Sequence, residues 1–233
     1  MKKRQYNQVC ALSVGLDLIG DRWTLLILRE LLFGVRRFSD ILRGTPGLST
    51  NLLSQRLREL EQAKLIEHRK LPPPAASSVY GISPKARSYL LPIIVSLTDF
   101  GVQFLKYPPE ADQFVPASST MGAMNKFFQA GGKYNGSAEF RTDHDVYGCI
   151  IEDGVLRGAG FGEQPNADLI MVGSSEIFMG LIVGYISLQD VFENEALILI
   201  RGELKDAEAF FANFVHDYTD IWLHTLTSQE DNM

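Results

Sequence analysis

Residues 49–63, Ser-Thr-Asn-Leu-Leu-Ser-Gln-Arg-Leu-Arg-Glu-Leu-Glu-Gln-Ala, constrain the fold of this chain more than any other stretch. Leu53, Leu57 and Leu60 recur at helical spacing and make one apolar stripe. At about 100° per residue, Asn51, Gln55, Arg58 and Gln62 fall roughly opposite that stripe, with Ser54 on the edge of the same outer face. A rod of this kind buries its leucines in a core and turns amides, a hydroxyl and a guanidinium outward. Such groups can hydrogen-bond to base edges and phosphates in the major groove of DNA. An ordinary solvated amphipathic helix carries the same pattern, so the flanking sequence has to separate the two.

The flanks place the rod in a defined order of elements. Ser13 to Leu18 has helical spacing, and Trp23 to Leu32 is a strongly apolar helix with Asp21 as its expected N-cap and Gly34 as its stop. Ser39 is the expected cap of a short helix through Leu42. Thr45-Pro46-Gly47 is a turn, and Ser49 caps the rod itself. Leu65 to Leu71 alternates like a strand and Val79 to Ser83 returns as a second one. Between them lies the loop Pro72-Pro73-Pro74-Ala75-Ala76-Ser77-Ser78. Pro84 to Leu105 is a long apolar helix with Pro92 inside it. Short helix, tight turn, outward-facing helix and β-hairpin together read as a winged helix-turn-helix. Arg36 and Arg37 precede the short helix, Arg69 and Lys70 sit at the base of the hairpin, and Lys85 and Arg87 follow it. All six are candidates for phosphate contacts. Ser39, Ser49, Thr50, Asn51, Ser54, Gln55 and Arg58 are candidates for contact with backbone or bases.

Charge divides the chain. Residues 1–106 hold 16 Lys and Arg against 8 Asp and Glu, while residues 107–233 hold 6 against 20. A basic front half can attract a polyanion that an acidic back half repels, which suggests two domains with different partners. The expected boundaries are 1–106, a linker over 107–120 that begins at Tyr107-Pro108-Pro109, and 121–233. With 45% apolar residues the chain can fill such cores and is not disordered. No apolar run approaches the roughly 20 residues that span a bilayer. Cys10 and Cys149 are too few and too far apart for a disulfide framework. With a charged N-terminus lacking a signal-peptide core, they point to the cytoplasm.

Several motifs of the front half, taken in order, resemble the HxlR-type transcriptional regulators. These are Cys10, Leu16 to Leu31, Gly34-Val35-Arg36-Arg37-Phe38-Ser39, Pro46-Gly47-Leu48-Ser49, Leu53 to Glu61, and Leu65-Ile66. The resemblance covers about the first 105 residues. It implies a homodimeric winged-helix protein that binds double-stranded operator DNA as a bacterial repressor or activator. It also implies dimer contacts from the first helix and from the helix over 84–105. The chain departs from the family pattern at Ser77-Ser78-Val79-Tyr80, which lacks an arginine, at Ala86 in place of a glycine, and at Phe100-Gly101 in place of Trp-Gly. In some members a cysteine at the position of Cys10 senses oxidants or electrophiles, which requires an exposed thiolate near positive charge. The alternative for Cys10 is a small inert cysteine at a helix start.

The back half reads as α+β. A helix is expected over Met121 to Ala130, followed by strands over Ser137–Thr142, Tyr147–Ile151 and Val155–Phe161, the last two joined by a tight turn at Glu152-Asp153-Gly154. Further expectations are a strand over Ala167–Val172, a helix begun by Ser174, a short helix near Leu188–Phe192 and a strand over Ala196–Arg201. Helices over Asp206–Phe214 and Tyr218–Leu226 would follow. Antiparallel strands with helices gathered on one face are the expected architecture. Neither a Gly-rich phosphate loop, nor a metal-spaced His/Cys cluster, nor a nucleophile–base arrangement is visible, so no catalytic residue, metal or cofactor is assigned. Asp143-His144-Asp145, His216 and His224 read as solvated or structural groups. Met124, Phe128, Phe140, Phe161, Met171, Phe178, Leu181 and Ile182 are large, adaptable side chains that could line a pocket for an apolar guest, or simply form the core.

The order Asp153-Gly154, Ala167 to Ile170, Ser174 to Gly184, Leu188 to Phe192 and Ala196 to Leu204 resembles a sterol-carrier-protein-like (SCP2) domain over residues 118–215. That resemblance implies a sheet covered by helices around an apolar tunnel, without catalysis. The leading expectation is therefore a DNA-binding regulator whose back half receives a small apolar or amphipathic effector, or strengthens the dimer. A hydrophobic-ligand carrier whose helix-turn-helix serves protein contacts, and a redox switch acting through Cys10, stand as alternatives.

Overall fold

The computed structural model describes residues 5–72, 77–106, 108–110 and 112–214. The helix expected over Tyr218–Leu226, His216 and His224 lie outside the described residues, as do Lys2, Lys3, Arg4 and the tip of the 72–78 loop. The chain forms two compact units, Met1–Thr98 and Asp99–Met233.

The N-terminal unit contains α1 (Ala11–Ile19), α2 (Thr24–Leu32), β1 (Arg36–Arg37), α3 (Phe38–Arg43) and α4 (Thr50–Gln62). Next come β2 (Ile66–Lys70), β3 (Ser78–Ile82) and α5 (Pro84–Val102), a helix that runs past the boundary. Leu53, Leu57 and Leu60 of α4 join Ile27, Leu28 and Leu31 of α2 and Ile41 of α3 in one buried cluster. Ala86 and Leu90 of α5 close it. β2 and β3 pair antiparallel from Ile66↔Ile82 to Lys70↔Ser78, and β1 adds a short third strand beside β3. Ser83 ties the hairpin to its base: its hydroxyl donates to the Lys64 carbonyl at 2.8 Å and accepts the Ala86 amide at 3.3 Å.

Two of the expected caps are different in the structure. Asp21 does not cap α2 with its side chain; the helix follows Trp23, whose φ is +78°, and the Asp21 carboxylate instead accepts from Arg56 Nη1 of α4 at 2.8 Å. An ion pair that ties the turn before α2 to α4 outcompetes a local cap here. Ser39 lies inside α3 and not before it. The amide of the flanking residue Arg37 donates to Asp40 at 3.3 Å, so the aspartate closes this helix start. Ser49 does cap α4, its hydroxyl accepting from the Leu52 amide at 3.3 Å.

The C-terminal unit is a mixed α+β layer. It comprises α6 (Ala117–Phe127), β4 (Gly136–Arg141), β5 (Val146–Glu152), β6 (Val155–Phe161) and β7 (Leu169–Gly173). After these come α7 (Ser175–Ile182), α8 (Leu188–Glu193), β8 (Leu197–Arg201) and α9 (Leu204–Phe211). The sheet order is β6-β5-β4-β7-β8. It is not the wholly antiparallel sheet that the sequence leads one to expect: β4 and β7 pair parallel. The reason is the path of the chain. β4, β5 and β6 form a meander, and residues 162–168 then recross the sheet so that β7 starts beside Ala138.

That crossing is built into the strands beneath it. Gly148 has no side chain because a Cβ would meet Gln164 Cγ at 2.4 Å. Glu139, though only 1% exposed, accepts the Gln164 amide at 2.6 Å and Arg141 Nε at 2.7 Å. The Asp168 carboxylate accepts both the amide and the hydroxyl of Ser137 at 2.8 Å, which holds its pKa below the usual carboxylate value. At the other end of the meander, Asp153 and Gly154 both have positive φ, +53° and +68°. This is the two-residue hairpin geometry whose twist matches that of the flanking strands.

The opposite face of the sheet carries the core. Phe140 of β4 stacks on Tyr147 of β5 with centroids 5.3 Å apart, and meets Phe178 of α7 edge-on at 5.0 Å. Phe210 of α9 completes the group 5.5 Å from Phe140. Among the described residues, no helix is long and apolar enough to cross a membrane.

Candidate functional site

Helix α4 presents two faces of opposite character. Leu53, Leu57 and Leu60 are at most 2% exposed, while Asn51, Gln55, Arg58 and Gln62 lie open on the far side and Ser54 is half-buried between. Ser49 and Thr50 are exposed at the N-terminal end, where unpaired amides favour a phosphate oxygen. Gln55 Nε2 donates to Glu59 Oε1 at 2.8 Å, one turn along. Arg56, on the flank, is taken up by Asp21 and Glu59 at 2.8 and 2.6 Å. Arg58 enters no ion pair among the described residues and extends from the outer face.

The remaining basic candidates divide by environment. Arg37 and Ser39 are exposed at the start of α3, and the Ser39 hydroxyl donates to Asp40 at 3.3 Å. Lys70 is exposed on the wing, and Arg69 beside it donates to Glu67 at 3.0 Å through Nε. Lys85 is exposed. Arg87 donates to the Leu32 carbonyl at 2.6 Å, which fastens the start of α5 to the end of α2. Arg36 is a correction to the sequence expectation. It is 6% exposed, and its guanidinium lies 3.9 Å from the carboxylate of Glu30, itself 1% exposed. Arg29 Nη2 shares that carboxylate at 2.8 Å and donates to the Gly44 carbonyl at 2.9 Å. Alternation along β1 turns Arg36 into the fold and Arg37 out to solvent, so only Arg37 is available to a phosphate.

Cys10 is exposed and immediately precedes α1. The backbone amides of Ser13 and Leu12 lower its thiol pKa below the ordinary value by favouring the thiolate. Cys149 is buried in β5, and burial pushes its thiol up to about 12.

The eight candidate ligand-lining side chains do not surround an open tunnel. Met124, Phe140, Met171, Phe178, Leu181 and Ile182 are at most 2% exposed and belong to the closed core, whose rings fill the space between sheet and helices. Phe128 and Phe161 are half-buried, and Phe128 meets Phe214 edge-on at 6.0 Å. Surface depressions of this unit are lined elsewhere. One lies by Glu110, Gln113, Glu176 and Tyr185; another lies by Asn135, Ser137, Gln164 and Asp168. Two buried hydroxyls absent from the sequence-derived set, Thr120 and Tyr147, lie within this apolar core; a strand pattern marks Tyr147 as buried without saying what its hydroxyl meets. Among the described residues, no group of three or more His, Cys, Asp or Glu could hold a metal ion.

A three-helix core with a polar outward helix and a hairpin wing defines the N-terminal unit as a winged helix-turn-helix. The HxlR-like helix-turn-helix family matches over residues 18–108, and the chain belongs to this family. An uncharacterized HTH-type transcriptional regulator of Synechocystis (sll1512) is 31% identical over 100 residues, which cover 43% of this chain and 73% of that relative. One from Mycobacterium tuberculosis (Rv3095) is 39% identical over 98 residues, and the chain spans only 61% of its length. The transcriptional regulator YodB of Bacillus subtilis is 34% identical over 80 residues, 34% of this chain and 71% of YodB. The solved structure of reduced YodB aligns with a TM-score of 0.37 at 29% identity, covering 44% of this chain and all of YodB. These matches each cover under half of the chain.

Proposed function

We propose that the protein is a transcriptional regulator that binds operator DNA as a homodimer, with α4 in the major groove. The single observation that carries this reading is the exposed polar face of α4, where Asn51, Gln55 and Arg58 stand over a leucine core with Arg37, Ser39, Ser49 and Thr50 exposed nearby. Amide and guanidinium groups at these positions read base edges; Arg37, Arg69 and Lys70 hold phosphates and set the register. The basic residues 1–106 are the DNA-binding and dimerisation domain, the stretch from 107 to the start of α6 at Ala117 the linker, and α6 onward the effector domain, all acting in the cytoplasm.

The dimer is supported by apolar surface that a monomer would leave wet. On α1, Leu12, Val14 and Leu18 are 71, 53 and 45% exposed. On α5, Tyr89, Ile93, Leu97 and Phe100 are 58, 44, 49 and 63% exposed. Burying both helices against a second copy removes this surface from water, and sets two copies of α4 for half-sites about one DNA turn apart.

The C-terminal unit is read as a sterol-carrier-protein-like domain that receives a small apolar effector. Its support is the layer of helices over one sheet face and the Met- and Phe-rich core between them. An effector alters DNA binding only by preferring one arrangement of the dimer. A mobility-shift titration with DNA from upstream of the protein's own coding region tests the regulator reading. Sequence-selective retention that weakens steeply with salt supports it, and equal retention of unrelated DNA refutes it.

A second reading is favoured by the exposed, low-pKa thiol of Cys10: DNA binding responds to oxidants through that residue. Cys10→Ser should then abolish the response to oxidant and leave DNA affinity in reductant unchanged. An identical oxidant response in Cys10→Ser removes this reading.

A further inference from the structure

Two hydroxyls lie buried inside the C-terminal unit with no well-formed hydrogen bond among the described residues and no polar side chain but each other to turn to: Tyr147 Oη from β5 and Thr120 Oγ1 from α6. Both residues are fully buried. They lie close enough for Thr120 to act on Tyr147 as a hydrogen-bonding side chain, opposing the rise that burial imposes on its pKa, although the pair does not close a well-formed bond. Closing one would still leave a hydroxyl proton with no acceptor, because each group brings its own. Phenylalanine and valine would fill the same space without this penalty. A polar pair held at a cost inside an apolar core calls for an explanation, and a partner that arrives from outside supplies one.

The surroundings suit such a partner. Phe140 stacks on the Tyr147 ring, and Phe178 meets it edge-on at 6.4 Å. Met124 lies one helical turn beyond Thr120, and Met121 and Met171 are likewise buried. Thioether chains repack at little cost, and a few convergent polar groups on apolar walls are what orient a small molecule. Charge narrows its class. The neighbours Asp145 and Glu176 both act to keep Tyr147 protonated, so their negative field disfavours an anion beside its hydroxyl.

We propose that Tyr147 and Thr120 anchor a ligand site in the C-terminal unit that takes a small apolar molecule bearing one uncharged hydroxyl or carbonyl group. Its oxygen lies between the two hydroxyls, and its body displaces the rings and thioethers of Met124, Phe140, Met171 and Phe178. The proposal rests on the reading of this unit as the receiver of an apolar effector, and adds the ligand's polar group and the residues that select it.

The test uses the full chain with 2-naphthol as probe, and naphthalene and 2-naphthoate as controls, by isothermal titration calorimetry. We expect saturable 2-naphthol binding about tenfold or more tighter than either control, the usual consequence of a site that pairs with a substrate hydroxyl. Y147F and T120V should each bring 2-naphthol down to the level of naphthalene, while the Tm of the unliganded protein stays level or rises. Absence of saturable 2-naphthol binding overturns the proposal. So does unchanged binding in both variants, or a lower Tm in both, which would make the hydroxyls packing elements only. Mobility shifts with and without 2-naphthol separate the two levels. Tyr147-dependent binding that leaves DNA affinity unchanged keeps the ligand site and removes the effector reading.

Discussion

Helix α4 and the aromatic core of the C-terminal unit both carry pronounced side-chain patterns, and they mean different things in three dimensions. On α4 the pattern has an inside and an outside, and the outside is open to any partner without rearrangement. In the C-terminal unit the large side chains of Met124, Phe140, Met171 and Phe178 are all fully buried, and the rings of Phe140 and Phe178 pack edge to face. A helical period says which groups turn from the core, whereas no period says whether a core holds room. The first pattern therefore constrains function directly, and the second only through packing.

The largest effect expected from breaking this comparison is on stability. Phe140→Ala removes the ring that joins Tyr147, Phe178 and Phe210, and should cost about 3–5 kcal/mol in urea unfolding of the C-terminal unit. A cost below 1 kcal/mol would mean the core already holds slack, and would revive the open tunnel. Next comes Arg36→Ala, expected to destabilise the N-terminal unit by about 1–3 kcal/mol because it leaves a buried carboxylate short of a partner. Unfolding curves identical to those of the parent would return Arg36 to the surface.

Much of this was legible before the structure, and the misses have physical causes. The order of the front half follows from its leucine spacing, its turn at Pro46-Gly47 and its paired strands, which are local signals. Ser49 as a cap is local too. Asp21 and Arg36 were misread because each is captured by a residue distant in sequence or across the fold, Arg56 and Glu30 respectively. A basic pair such as Arg36-Arg37 looks uniform until a two-residue strand turns its members in opposite directions. The parallel pairing of β4 with β7 depends on a crossing that needs Gly148 below it and Glu139 to hold it, and neither residue announces this in a strand pattern. In the candidate site, the exposed groups of α4 follow from periodicity. The hydroxyls of Tyr147 and Thr120 became visible only once their neighbours were placed.

On the open face of α4, smaller and more selective effects are expected. Arg58→Ala should weaken operator binding by about 1–3 kcal/mol and relax selectivity at one base pair, with no change in the unfolding midpoint. Arg37→Ala should weaken all DNA sequences alike and lower the slope of log affinity against log salt by about 1. Paired with Arg36→Ala, it makes adjacent arginines a direct test: one should alter folding and the other salt dependence. The same phenotype from both would refute the division made by β1.

The smallest effect concerns the two thiols, which repeat the contrast of open and closed regions within one residue type. Cys10 is exposed with its pKa lowered by the amides of Ser13 and Leu12, and Cys149 is buried with its pKa raised to about 12 by desolvation. Iodoacetamide reacts with thiolates, so the native protein should label at Cys10 alone, with a pH midpoint below that of an ordinary thiol. The linkage signs follow. A lowered folded pKa lets Cys10 favour the fold only above its unfolded value, an advantage lost as pH falls through the lowered one. For Cys149 the advantage is complete below the ordinary thiol pKa and is lost as pH rises toward about 12. In denaturant both midpoints should converge on the ordinary value, so mass-spectrometric labelling across pH, with and without urea, reads each shift separately. Labelling of native Cys149 at neutral pH, as fast as Cys10, would show that the C-terminal core opens readily. The closed packing described for that core would then be only one of its states.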